Sequence, residues 1–150
     1  MTACKDKPVC NVAQADATLL STCLRLLQTA HEIKQNAYAP YSGFQVGAAV
    51  LAKNGSIITG VNVENGSLGL TICAERTALS KAVSEGYRPG DFVAIAVAAS
   101  ADGFSPCGAC REVINEFGQN MLVVFEYQDE VVVAPLKTLL AYNFVKGKPS

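Results

Sequence analysis

Two cysteine-led segments, Thr71-Ile-Cys-Ala-Glu-Arg76 and Ser105-Pro-Cys-Gly-Ala-Cys110, constrain this chain more than any other feature. Each places a cysteine at the start of a predicted helix. Helix N-termini expose unpaired N–H groups and the positive end of the helix dipole, which favours thiolate. Cys107 and Cys110 are three residues apart and project from one side of a first turn. The C-x-x-C spacing suits tetrahedral zinc, and Cys73 supplies a third sulfur, leaving the fourth position open as in a catalytic site. Glu75, two residues after Cys73, is placed to face a metal-bound water and move its proton.

Periodicity gives the frame that must bring these segments together. Asp16 is a candidate N-cap for an amphipathic helix over 17–36, with Leu19, Leu20, Cys23, Leu24, Leu27, Ala30 and Ile33 at helical spacing. Strands are predicted at Phe44–Leu51 and Ser56–Val63, joined by the Asn54-Gly55 turn. Glu64–Leu70 reads as loop, Cys73–Glu85 as a second helix stopped by Gly86, and Phe92–Ala99 as a strand buried on both faces. The loop 100–106 leads to a third helix at Cys107–Phe117. Two strands, Met121–Tyr127 and Glu130–Ala134, follow, and Pro135 opens a short last helix. The expected fold is α/β: a three-layer α/β/α sandwich with a mixed five-stranded sheet, in one domain over 16–150 after a loose extension at 1–15.

Composition narrows the function classes. Half of the 150 residues are hydrophobic, enough for a real core, and the net charge is -1. A slightly acidic chain with no Trp argues against a partner with a phosphate backbone, and against a polynucleotide editor with stacking aromatics. No window is long enough to span a membrane, and the first residues lack the apolar core of a signal peptide. A cytoplasmic location is therefore expected, where six cysteines serve as metal ligands or buried thiols and not as a disulfide framework. Cys23 reads as a buried small hydrophobe, as do Cys4 and Cys10 by default. His31, the one histidine, and Arg111 read as solvated helix residues.

The pattern Cys-x-Glu followed by Pro-Cys-x-x-Cys is that of zinc deaminases. Together with Tyr38-Ala-Pro-Tyr-Ser-Gly-Phe-Gln-Val-Gly-Ala-Ala49, Asn62-Val-Glu-Asn65, Cys73-Ala-Glu-Arg-Thr-Ala78 and Ser105-Pro-Cys-Gly-Ala-Cys-Arg111, it makes the chain resemble the homotetrameric, three-cysteine class of cytidine deaminases over roughly residues 17–145. That resemblance implies hydrolytic deamination of free cytidine and deoxycytidine in pyrimidine salvage, by metal-activated water attacking C4 with Glu75 as proton shuttle. It implies one Zn²⁺ per chain on Cys73, Cys107 and Cys110, with Arg76 donating to a ligand sulfur. It implies that Asn62 and Glu64 bind the ribose 3′-hydroxyl, and that Phe44 lies against the base. The Ala74 N–H would meet the 2-oxo group, and the Ser105 carbonyl would accept from the 4-amino group. Its implied partners are a small nucleoside and further copies of the chain, with no nucleic acid and no membrane.

Two positions depart from the class. Leu68 stands where an aromatic, often tyrosine, usually reaches a neighbouring subunit's nucleoside. The segment Leu139-Leu-Ala-Tyr-Asn-Phe-Val145 lacks the usual proline, while Phe144 falls where a partner subunit's aromatic approaches the base. The alternative activities are deamination of a related aminopyrimidine nucleoside and, from another class, a non-catalytic zinc-stabilised module, against which Glu75 speaks.

Overall fold

In the computed structural model, residues 10–11 (backbone only) and 16–145 are described. In chain order the elements are β1 (Cys10–Asn11), α1 (Ala17–Ile33), β2 (Val46–Ala52), β3 (Ile57–Val61), α2 (Ala74–Ser84), β4 (Phe92–Ala99), α3 (Gly108–Phe117), β5 (Leu122–Tyr127), β6 (Glu130–Pro135) and α4 (Leu136–Leu139). They form one mixed sheet in the order β1-β6-β5-β4-β2-β3. Only β4 and β5 are parallel, and α3 makes the crossover between them that a parallel pair requires. All other neighbours are antiparallel.

The five expected strands are present. A sixth, β1, adds Cys10 and Asn11 to the edge of β6 opposite Val133 and Val132, inside what reads from the sequence as a loose extension. The rest of that extension, Cys4 included, lies outside the described residues.

The sequence-based turn and cap signals operate locally. The Asp16 carboxylate accepts from the Thr18 N–H at 2.9 Å and caps α1. Asn54-Gly55 turns β2 into β3, with Gly55 in the left-handed region at φ 87°. The expected helix over 17–36 finishes as a tighter 3-10 turn at Lys34–Asn36, and another such turn, Leu68–Leu70, interrupts the expected loop. The strand expected from Phe44 starts at Val46, as β2, so Phe44 precedes it.

Each face of the sheet has its own core. On one, Cys23, Leu26, Leu27 and Ala30 of α1 pack on Ala49, Ala94, Ala96 and Ala98. Small strand residues let the helix lie close, and Gly47 admits it further: a Cβ there would sit 2.2 Å from the Ala30 carbonyl oxygen. On the other face, Val46, Val50, Ile95, Val97 and Val123 meet Ala78, Leu79, Ile114 and Leu136 from α2, α3 and α4. Helices on both faces make the expected three-layer sandwich. Cys23 is buried, as expected. His31 is not a free surface residue: its Nε2 lies 2.9 Å from Glu126 Oε2 and its Nδ1 3.2 Å from Lys34 Nζ, tying α1 to β5. No helix among the described residues is long and apolar enough to cross a membrane.

Candidate metal centre and binding cavity

The second face of the sheet sets the starts of α2 and α3 side by side. Gly60 decides how closely α2 lies on β3, because a Cβ at that position would fall 2.3 Å from the Ala78 nitrogen and 2.7 Å from the Ala74 carbonyl oxygen. Cys73 is the N-cap of α2 and Cys107 that of α3. The Cys107 sulfur accepts from the Cys110 N–H at 3.4 Å, a helix cap made by sulfur.

The three sulfurs of Cys73, Cys107 and Cys110 lie within 4.8 Å of one another. Tetrahedral zinc with Zn–S near 2.3 Å sets its sulfurs about 3.8 Å apart, so the group is the right size for that ion and leaves one position for a non-protein ligand. It is the only such donor cluster among the described residues.

The surroundings of the Cys73 sulfur favour thiolate. A hydrogen bond from the Cys110 thiol, with help from the nearby Arg76 guanidinium, pulls Cys73 down to about 5, and the same pairing pushes Cys110 up. Arg76 Nη2 donates to the Thr71 carbonyl at 2.8 Å and lies 4.0 Å from Cys73 Sγ.

Glu75 follows Cys73 into the first turn of α2 and is only 1% exposed. Its Oε1 is buried without a hydrogen-bond partner from the protein. Such an atom is costly unless something polar meets it, and a polar ligand beside the sulfurs would satisfy it. Burial raises the Glu75 carboxyl above the ordinary carboxylate range, and the Cys73 thiolate pushes the same way.

A cavity of about 210 Å³ opens over this centre, lined by Phe44, Asn62, Glu64, Cys73, Ala74, Glu75, Phe104 and Cys107 among others. It is smaller than the roughly 300–1,000 Å³ of sites for drug-sized molecules, which suits one small ligand. The Phe44 and Phe104 rings stand 5.7 Å apart at 46° and form its aromatic wall. Phe104 is absent from the sequence-based site; an aromatic just ahead of the Ser-Pro-Cys segment was its only signal.

Asn62 and Glu64 line the cavity, but both also bind protein. Asn62, 7% exposed, accepts from the Val46 N–H and donates to the Phe44 carbonyl, both at 2.8 Å. Glu64 Oε2 accepts from the Tyr41 and Ser42 N–H groups at 2.9 and 3.2 Å, and the Ser42 hydroxyl donates to Oε1. These bonds, the Ser42 hydroxyl first, hold the Glu64 carboxyl below its ordinary value.

Ser105 and Phe144 do not line this cavity. The Ser105 hydroxyl accepts from Arg111 Nη2 at 2.9 Å, and Phe144 is 75% exposed on its own chain. Arg111 itself is half-buried and fully engaged, not solvated.

The chain is similar to known proteins. Residues 20–126 match the family described as the cytidine and deoxycytidylate deaminase zinc-binding region. A cytidine deaminase of Halalkalibacterium halodurans is 59% identical over 92 residues, 61% of this chain and 68% of that one. One from Sporosarcina psychrophila is 49% identical over 102 residues, 67% of this chain and 74% of the other. The crystal structure of cytidine deaminase from Burkholderia pseudomallei aligns with a TM-score of 0.77 at 46% identity, covering 81% of this chain and 98% of that chain.

Proposed function

The chain belongs to the cytidine and deoxycytidylate deaminase family, and from that premise we propose that it is a zinc-dependent cytidine deaminase. It hydrolyses free cytidine and deoxycytidine to uridine and deoxyuridine with release of ammonia. The observation that carries this reading is the buried Glu75 carboxyl, its Oε1 without a protein partner, together with three convergent sulfurs, two of them from residues that line a small cavity.

Cys73, Cys107 and Cys110 would hold one zinc ion per chain, which would supply the Lewis acidity that lets water act as nucleophile at neutral pH. Three thiolates outweigh the ion's charge and weaken that effect, and Arg76 beside Cys73 Sγ offsets part of the excess. Glu75 takes one proton from the attacking water and passes it to the pyrimidine N3; it then takes the second from the new C4 hydroxyl and gives it to the 4-amino group, which leaves as ammonia as the C4 carbonyl forms. A carboxyl raised by burial suits this traffic, because efficient proton shuttles titrate near the working pH.

The remaining residues orient the substrate. Ala74 is the first residue of α2, so its N–H has no intrahelical acceptor and meets the 2-oxo group. The Ser105 carbonyl accepts from the 4-amino group. Phe44 lies against the base, with Phe104 packed beside it in the cavity wall. Asn62 and Glu64, already locked by the 41–46 backbone, offer their remaining hydrogen-bonding capacity to the ribose. The net charge of -1 and the small cavity favour a free nucleoside over a polynucleotide. We place this salvage reaction in the cytosol, where thiols stay reduced.

The test is an ultraviolet assay of cytidine with and without chelator. Turnover should be lost on chelation and return with zinc, and cytidine should far outperform free cytosine. Equal specificity constants for cytosine and cytidine would remove the ribose contacts from the reading. A related aminopyrimidine nucleoside turning over where cytidine does not would move the assignment to that substrate.

A further inference from the structure

Arg111 lies one residue beyond Cys110, and its side chain folds back toward the start of α3, as helical side chains do. The guanidinium then reaches two stretches of chain that are distant in sequence. Nε donates to the Pro106 carbonyl at 2.8 Å, and Nη2 to the Ser105 hydroxyl at 2.9 Å. Nη1 donates to the Leu139 carbonyl at 2.9 Å, at the end of α4. One helical turn further along α3, Asn115 Oδ1 accepts from Asn143 Nδ2 at 3.2 Å. The C-terminal segment is thus held to α3 at two points, and the nearer one is shared with the two residues that lead into Cys107.

We propose that Arg111 is a positioning residue that clamps the Ser105–Pro106 approach to the metal ligand Cys107 against the end of α4. The role rests on the zinc assignment above. Cys107 is exposed and sits at the junction of a loop and a helix, so packing alone does not set its sulfur. A planar guanidinium can satisfy three acceptors on two sides of itself at once; a lysine ammonium, a point charge on a flexible stem, does not reproduce that fork. The same bonds fix the Ser105 peptide, whose carbonyl the proposed mechanism uses. The C-terminal segment would through this residue bear on the metal centre.

The test compares wild type with Arg111→Ala, Arg111→Lys and Glu112→Ala, the last an exposed neighbour on the same turn. Zinc affinity is read by competition with a chromogenic chelator. Ligand geometry is read from the absorption bands of the cobalt(II)-substituted protein. Arg111→Ala should weaken zinc binding about 10–100-fold, as loss of partners around metal ligands does. Its cobalt spectrum should shift, Arg111→Lys should restore little, and Glu112→Ala should match wild type. If Arg111→Ala does not fold, the same readouts on Arg111→Lys decide. A folded Arg111 variant with wild-type zinc affinity and cobalt spectrum, even at a lowered Tm, would reduce the residue to a structural tie and overturn the proposal. So would an equal effect from Glu112→Ala. Wild-type protein that binds no zinc would overturn the metal assignment itself, and this role with it. Zinc-binding protein inactive on cytidine would refute only the substrate assignment.

Discussion

Glu75 and Glu64 are two carboxylates eleven residues apart in the chain whose surroundings drive them in opposite directions. Burial raises Glu75, whereas the Ser42 hydroxyl and the Tyr41 and Ser42 N–H groups lower Glu64. The first is thereby suited to carry protons and the second to remain an ionised acceptor. Glu75→Gln keeps the size of the side chain but cannot shuttle protons, so turnover of cytidine should fall by at least about 10²–10⁴-fold. Zinc content and Tm should stay near wild type, because no ligand is lost. A variant with near-normal turnover would discard the shuttle; one that loses zinc would make Glu75 a ligand.

For Glu64 the check is pH. A carboxyl with a depressed folded pKa adds stability above its unfolded pKa and loses it as pH falls through the folded value. Glu64→Gln should therefore lower Tm at neutral pH, and the gap to wild type should close in acid. A gap independent of pH would mean that its bonds to the 41–42 backbone carry no charge dependence.

At the scale of elements, the centre depends on how α2 sits on β3 and how α3 starts beside it. Gly60 sets the first relation. A methyl group there meets the backbone of α2, which cannot step aside as a flexible side chain would. Gly60→Ala should destabilise the protein by about 1–3 kcal/mol, as overpacking does. It should weaken zinc binding as well, because Cys73 and Glu75 ride on the displaced helix. Gly69→Ala, where the added carbon meets nothing within 4 Å, is the control. Thermal melts with metal analysis of both variants check this; equal behaviour would mean that α2 tolerates the shift.

The whole molecule carries exposed apolar side chains near its C-terminal segment and in the 3-10 turn after β3. Phe144 is 75% exposed and Leu68 74%, with Leu70 and Tyr142 exposed as well. Apolar groups left in water in this number favour burial against another surface. The homotetramer that the resemblance implies would place such groups between copies and bring Phe144 to a neighbour's cavity. Light scattering should give four chains per particle, and Phe144→Ala should raise KM or dissociate the assembly. A monomer with full activity would refute both statements.

Much of the fold was legible because its signals are local. The Asp16 cap, the Asn54-Gly55 turn, the apolar run of β4 and the cysteines at two helix starts each act on chain within a few residues. The sequence by itself determined the elements, their burial on both faces, and the residue types of the centre. It could not determine partners that lie far along the chain. The engagement of Asn62 with Phe44 and Val46, of Glu64 with Tyr41 and Ser42, and of Arg111 with Leu139 exists only once the sheet brings those segments together. The same holds for Phe104 against Phe44, for α2 against Gly60, and for the edge strand at Cys10–Asn11. Periodicity and capping are properties of neighbouring residues, whereas hydrogen-bond satisfaction and close packing are properties of the folded arrangement, so only the tertiary structure decided them.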